Sequence, residues 1–183
     1  MRLRAIGAVL SVVALACSDP RPSAQPIGEN TIFSFAPVGP RTFLTEETAG
    51  DFDDRVRALL ADEGVDAATK AYANRWVQPP GWETTVDAYG QPIDGDLYAK
   101  QGYPFRTNLV DPRSGVVVLA YTKEQPDPAV WMAQRNVRVS GRLEGYALQT
   151  PGLVILLDAE FRWNDQASGE HRDLIDPHSG RHG

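Results

Sequence analysis

Between Phe105 and Trp163 apolar residues recur at every second position in several short runs, and that period of two commits this half of the chain to β-strands. Phe105 to Val110 and Val116 to Tyr121 flank Asp111-Pro112-Arg113-Ser114-Gly115, whose proline and glycine suit a hairpin turn. Val116 to Ala120 is apolar on both faces, which predicts a central, covered strand. Val137 to Leu143 sets Val137, Val139, Gly141 and Leu143 on one face and Arg138, Ser140 and Arg142 on the other. A glycine inside such a strand marks a bulge or a tight bend. Leu153 to Trp163 follows, with Leu153, Ile155, Leu157, Ala159, Phe161 and Trp163 on one side and Asp158, Glu160 and Arg162 opposite; Val154 and Leu156 demand extra cover near its start. Between the strands, Pro126-Asp127-Pro128 opens a short helix reaching about Gln134, where Trp131 and Met132 would plug one end of the core.

The first half mixes periods. Thr31 to Phe35 predicts a short strand, ended by Pro37-Val38-Gly39-Pro40. Phe52, Val56, Leu59 and Leu60 recur at helical spacing and predict a helix from about Asp51 to Glu63, capped by Asp51 and stopped by Gly64. Its charged residues Asp53, Asp54, Arg55, Arg57, Asp62 and Glu63 form a solvated face. A second helix runs from Asp66 to Asn74 with Asp66 as its cap. From Trp76 to Pro104 glycine and proline break the pattern repeatedly, and Trp82 to Tyr89 reads as a strand.

The sequence of strand, short capped helix and strand pair over about Val116 to Phe161 is similar to the later part of small bacterial OB-fold domains. In that family a helix lies between the third and fourth strands, and a V-x-V-x-G-x-L strand precedes a final aliphatic one. The expected fold is mainly β (α+β): a partly closed OB-like barrel with one or two N-terminal helices and a short capping helix. OB barrels bind nucleic acids, sugars or proteins, so the resemblance implies binding and leaves the ligand open.

Upstream, Arg2 and Arg4 precede the apolar stretch Ala5 to Ala16, which ends at Cys17, the only cysteine. The stretch is too short to span a bilayer, which takes about 20 apolar residues, and has the layout of an export signal. Val13-Ala14-Leu15-Ala16-Cys17 resembles the lipidation site of bacterial lipoproteins, although the family prefers leucine where Ala14 stands. The alternative is an ordinary signal peptide cut after Ala14-x-Ala16. The resemblance implies a chain held by acyl groups on Cys17. Ser18 in place of aspartate implies an outer membrane, facing the periplasm, where the host has one. Accordingly residues 1–16 are a signal, 17–30 a proline-rich tether, 31–163 one globular domain and 164–183 a polar, disordered tail. Without Arg2 and Arg4 the chain keeps 16 Lys+Arg against 24 Asp+Glu, a balance of −8. That acidity, with no basic cluster, argues against nucleic acid and leaves the membrane and an envelope protein as partners.

Chemistry is sparsely signalled. His171, His178 and His182 all fall in the tail, no Gly-x-Ser-x-Gly elbow occurs, and no residue set calls for a cofactor or metal. Trp76, Trp82, Tyr89 and Tyr98, with Asp94 and Asp96 in a glycine-bounded loop, are the candidate ligand-binding residues. The leading expectation is a lipid-anchored, non-catalytic binding or assembly module. Its competitor is an envelope hydrolase or small-ligand-binding enzyme using the aromatic and acidic segment 76–105.

Overall fold

The computed structural model describes residues 31–93, 95, 97–127, 136–164 and 171–173. Cys17 with its signal and tether, Asp94, Asp96, the helix expected over 128–134, and His178 and His182 lie outside the described residues. The elements in order are β1 (Thr31–Ser34), β2 (Thr42–Phe43), α1 (Ala49–Asp62), α2 (Val65–Ala71), β3 (Arg75–Pro92), α3 (Leu97–Lys100), β4 (Phe105–Val110), β5 (Val117–Thr122), β6 (Asn136–Leu148), β7 (Leu153–Asn164) and β8 (His171–Asp173).

Five strands close into a ring in the order β3, β4, β5, β7, β6 and back to β3. All neighbours run antiparallel except β5 and β7, which are parallel from Val117↔Leu153 to Ala120↔Leu156. The mainly β, OB-like barrel is thus the observed architecture, and its ring is closed. Short strands pair outside it: β1 on β6, β2 on β3, and β8 on the end of β7, within the segment read as a tail.

The hairpin forms as its residues dictate, with Gly115 at φ +76 and its N–H donating to Asp111 O at 2.9 Å. As expected β5 is central, paired at both edges, but only its inner face is covered: Val118 and Ala120 are fully buried, whereas Val117 and Leu119 on the other face are half-buried. Gly141 marks an irregularity, with φ +157 and a register shift between Ser140 and Arg142, but Val139 and Leu143 stay on one face across it.

Four expectations change. The strand over Trp82 to Tyr89 is the middle of β3, which continues through Pro79-Pro80-Gly81 by a register shift between Val77 and Trp82. Gly81 takes φ +94 there, and any Cβ on it would collide with the Val139 backbone. In α1 the cap is Thr48, whose side chain accepts from Asp51 N at 3.0 Å. Gly64 begins α2 without a side-chain cap, which leaves Asp66 in its first turn. Finally, β7 does not keep one apolar face. Asp158 sits at φ +49 where the single Gly141 faces both Asp158 and Ala159, so β7 carries an extra residue between Leu157 and Glu160. Because side chains alternate with a period of two, one extra residue exchanges the faces. Val154 and Leu156 therefore point into the core before the bulge and Ala159, Phe161 and Trp163 after it, while Ile155 and Leu157 join a separate outer cluster.

The main core is gathered around Phe52 of α1, whose ring lies 5.1 Å from Tyr72, 5.6 Å from Trp82 and 6.0 Å from Tyr146. The outer cluster, Tyr103, Tyr121, Ile155 and Leu157 with Ile93, Tyr98, Leu119 and Leu153 against it, lies on the far side of β5 and β7.

Candidate functional site

The aromatic residues singled out in the sequence are dispersed. Trp82 is 1% exposed and donates its Nε1–H to Glu46 O at 3.0 Å, which makes it a core residue. Trp76 is half-buried near the start of β3, with the Arg41 guanidinium 3.7 Å above its ring. Tyr89 packs on the main core, whereas Tyr98 of α3 belongs to the outer cluster, its ring 4.6 Å from Tyr121. Asp94 and Asp96 are outside the described residues.

A polar groove of about 620 Å³ lies between residues 44–48, the β3 bulge and the β4–β5 turn, and Trp82 is part of its wall. It gathers Glu46, Glu47, Glu83 and Asp111; Glu47 is exposed, and the other three are engaged. Asp111 accepts from Gly50 N and Arg113 N, both at 2.9 Å, and from Ser114 N at 3.4 Å, so it organises the turn and ties it to α1. Glu46, with a side chain 7% exposed, accepts from Thr45 N at 3.0 Å and pairs with Arg55 at 3.3 Å. Burial, with Glu46 nearby, pushes the Tyr72 hydroxyl up to about 12. Glu83 pairs with Arg138 at 3.8 Å.

A second groove, of about 430 Å³, crosses the outside of the barrel over β1, β6, β7 and β5. Ala147, Leu153, Ile155 and Leu119 form its floor, and Tyr98 and Tyr121 stand at one side. Ile32 and Leu97, 64% and 63% exposed, project at its rim. Among the described residues, its polar lining side chains are Ser34, Gln149 and the tyrosine hydroxyls, and none that lines it is charged. The groove exists because the Asp158 bulge turns Ile155 and Leu157 outward and because β5 is apolar on both faces.

Two polar clusters escape the sequence pattern. Asp53, expected on a solvated face, is 9% exposed and accepts from Tyr146 Oη and from Arg57 Nε at 2.9 Å, while Arg57 Nη2 donates to Gln149 O. Burial and the bond to Asp53 push the Tyr146 hydroxyl up. Asp53 shares the i, i+3, i+4 stripe with Ala49, Phe52, Val56 and Leu60, and that spacing was its available signal. Outside the barrel, Asp158 accepts from Tyr103 Oη at 2.9 Å and Lys123 Nζ at 2.8 Å. Partial burial draws its pKa upward, but the bonds from Lys123 and Tyr103 outweigh that and hold the carboxyl below its ordinary value. Among the described residues no group of three or more His, Cys, Asp or Glu is placed to hold a metal ion. Compared with known proteins, the chain matches no family model, no curated protein and no solved structure.

Proposed function

We propose that this chain is a lipid-anchored protein of the cell envelope, held to the membrane through Cys17 and acting as a non-catalytic binding or assembly module. In a host with an outer membrane it faces the periplasm from that membrane, and its ligand lies on the outer face of the barrel. The observation that carries this reading is the apolar groove beside Tyr98, a concave surface left partly in water. The engagement of the two least exposed carboxylates of the polar groove supports it further. A general acid or base must meet its substrate, whereas Asp111 and Glu46 are bonded into the turn and the segment before α1.

Mass analysis of the mature N-terminus tests the anchor: acyl groups on Cys17 support it, and an unmodified thiol or a cut elsewhere removes it. Chemical-shift mapping of the domain against solubilised envelope fractions tests the binding. Shifts at Leu97, Leu119, Leu153 and Ile155 are expected; shifts centred on Glu46 and Glu83 would favour the enzyme instead.

A further inference from the structure

We infer that the outer groove binds the acyl chain of a bilayer lipid, taken from the membrane to which the domain is tethered. The inference rests on the membrane-anchored binding reading and names its ligand. Three observations converge on it.

The first is shape and lining. The groove runs across the strands from Ile32 on β1 to Leu97 and Tyr98 on α3, over an aliphatic floor. A linear aliphatic chain is the ligand that such a transverse, apolar channel covers along its whole length. The second is charge. A free fatty acid would bring a carboxylate to a site whose lining, among the described residues, holds no charge, and an unpaired charge at an apolar site is costly. A chain joined through a neutral ester needs only hydrogen-bond donors for its carbonyl, which Ser34 and Gln149 can supply. The third is position. Ile32, at the rim, is the second residue of β1, and residues 18–31 are all that separate it from Cys17. Fully extended, that spacer reaches about 50 Å, so an anchored domain keeps this groove within range of the bilayer.

The tether itself is a poor occupant, because Ile27 is the only large aliphatic residue between Cys17 and Thr31. Energetically, a bilayer closes behind a departing chain, whereas an empty groove leaves its apolar surface in water. Covering that surface drives the transfer. Mass action favours the many chains of the bilayer over the few on Cys17.

The test has two arms. In the first, the mature chain carrying Cys17→Ala is titrated with the methyl ester of a conjugated polyene fatty acid, and with the free acid, by fluorescence. Saturable one-to-one binding of the ester is expected, with the acid at least tenfold weaker. Ile32→Asp and Leu97→Asp should each weaken the ester at least tenfold, and their exposed positions leave the fold intact. Unsaturable binding, equal binding of acid and ester, or indifference to both rim variants would overturn the inference. In the second arm, a photoreactive benzoylphenylalanine at position 97 of the full chain is irradiated in membranes. An adduct of bilayer-lipid mass is expected. An adduct to the Cys17 peptide or to another protein, or no adduct, would overturn it. An unmodified Cys17 in the same mass analysis removes the anchor alone and leaves the first arm's result standing.

Discussion

Asp53 shows how a single charged residue can belong to the core. Its carboxylate accepts from Tyr146 and Arg57, and a Cβ added at Gly152 would collide with it. Asp53→Ala leaves the Tyr146 hydroxyl and the Arg57 guanidinium short of a partner and should cost about 3 kcal/mol in denaturant unfolding. Gly152→Ala should cost about 1–3 kcal/mol through the clash. Since Asp53 supplies the closest of the clashing atoms, the Gly152→Ala penalty should shrink by about 1 kcal/mol or more when Asp53 is already alanine. Strict additivity in that cycle would refute the contact. Asp158 makes a second prediction, about pH. Its pKa is lowered in the folded chain, so its contribution is present above the unfolded carboxyl value and fades as pH falls through the folded one. The melting temperature of the native chain should therefore drop more steeply below about pH 4 than that of Asp158→Asn, with the gap between them narrowing there. Asparagine is the apt replacement because it tolerates the φ of +49 at this position. Neither role was legible in the sequence, where both residues read as outward-facing charges and their partners stand 93 and 55 residues away.

Elements were far more legible than these contacts. The hairpin at Asp111 to Gly115, the central place of β5 and the irregularity at Gly141 all follow from local pattern, because each is signalled by residues within one turn or one strand. What failed was parity along β7. A two-residue period identifies a strand but carries no mark for an extra residue, and the Asp158 bulge depends on the opposing Gly141 rather than on β7 itself. The apolar groove, which depends on that exchange of faces, was consequently invisible, and of the four candidate ligand residues that are described only Tyr98 lines it. Likewise, Pro79-Pro80-Gly81 reads as the end of an element, yet β3 passes through it because Gly81 allows close approach to Val139. Gly81→Ala should accordingly lose more than about 2 kcal/mol, from positive φ and backbone overlap together. Thr48→Ala, which removes only the α1 cap, should lose about 1 kcal/mol. Denaturation midpoints at constant slope would rank the two, and the reverse order would contradict this account of β3.

For the whole molecule, the question is where the anchor ends and the fold begins. β1 closes no part of the ring, yet Phe33 and the adjoining Phe35 are 6% and 1% exposed, and Phe35 lies 5.6 Å from Tyr72. Emptying one buried phenylalanine site costs about 3–5 kcal/mol, and a domain of this size has about 5–15 kcal/mol in all. A chain starting at residue 37 should therefore lose cooperative unfolding, even though all five ring strands remain. A chain starting at residue 30 should melt at the temperature of one starting at residue 18, since the proline-rich spacer offers little apolar surface to bury. Fold and anchor then separate cleanly at β1. Cys17→Ala should move the protein from the membrane to the soluble envelope fraction while leaving its melting temperature unchanged. A chain cut before Cys17 would carry −8, which provides no electrostatic hold on an anionic surface, and acyl groups on Cys17 would be the principal attachment. Membrane retention of the alanine variant in cell fractionation would locate the attachment elsewhere, with the groove rim at Ile32 and Leu97 the first place to substitute.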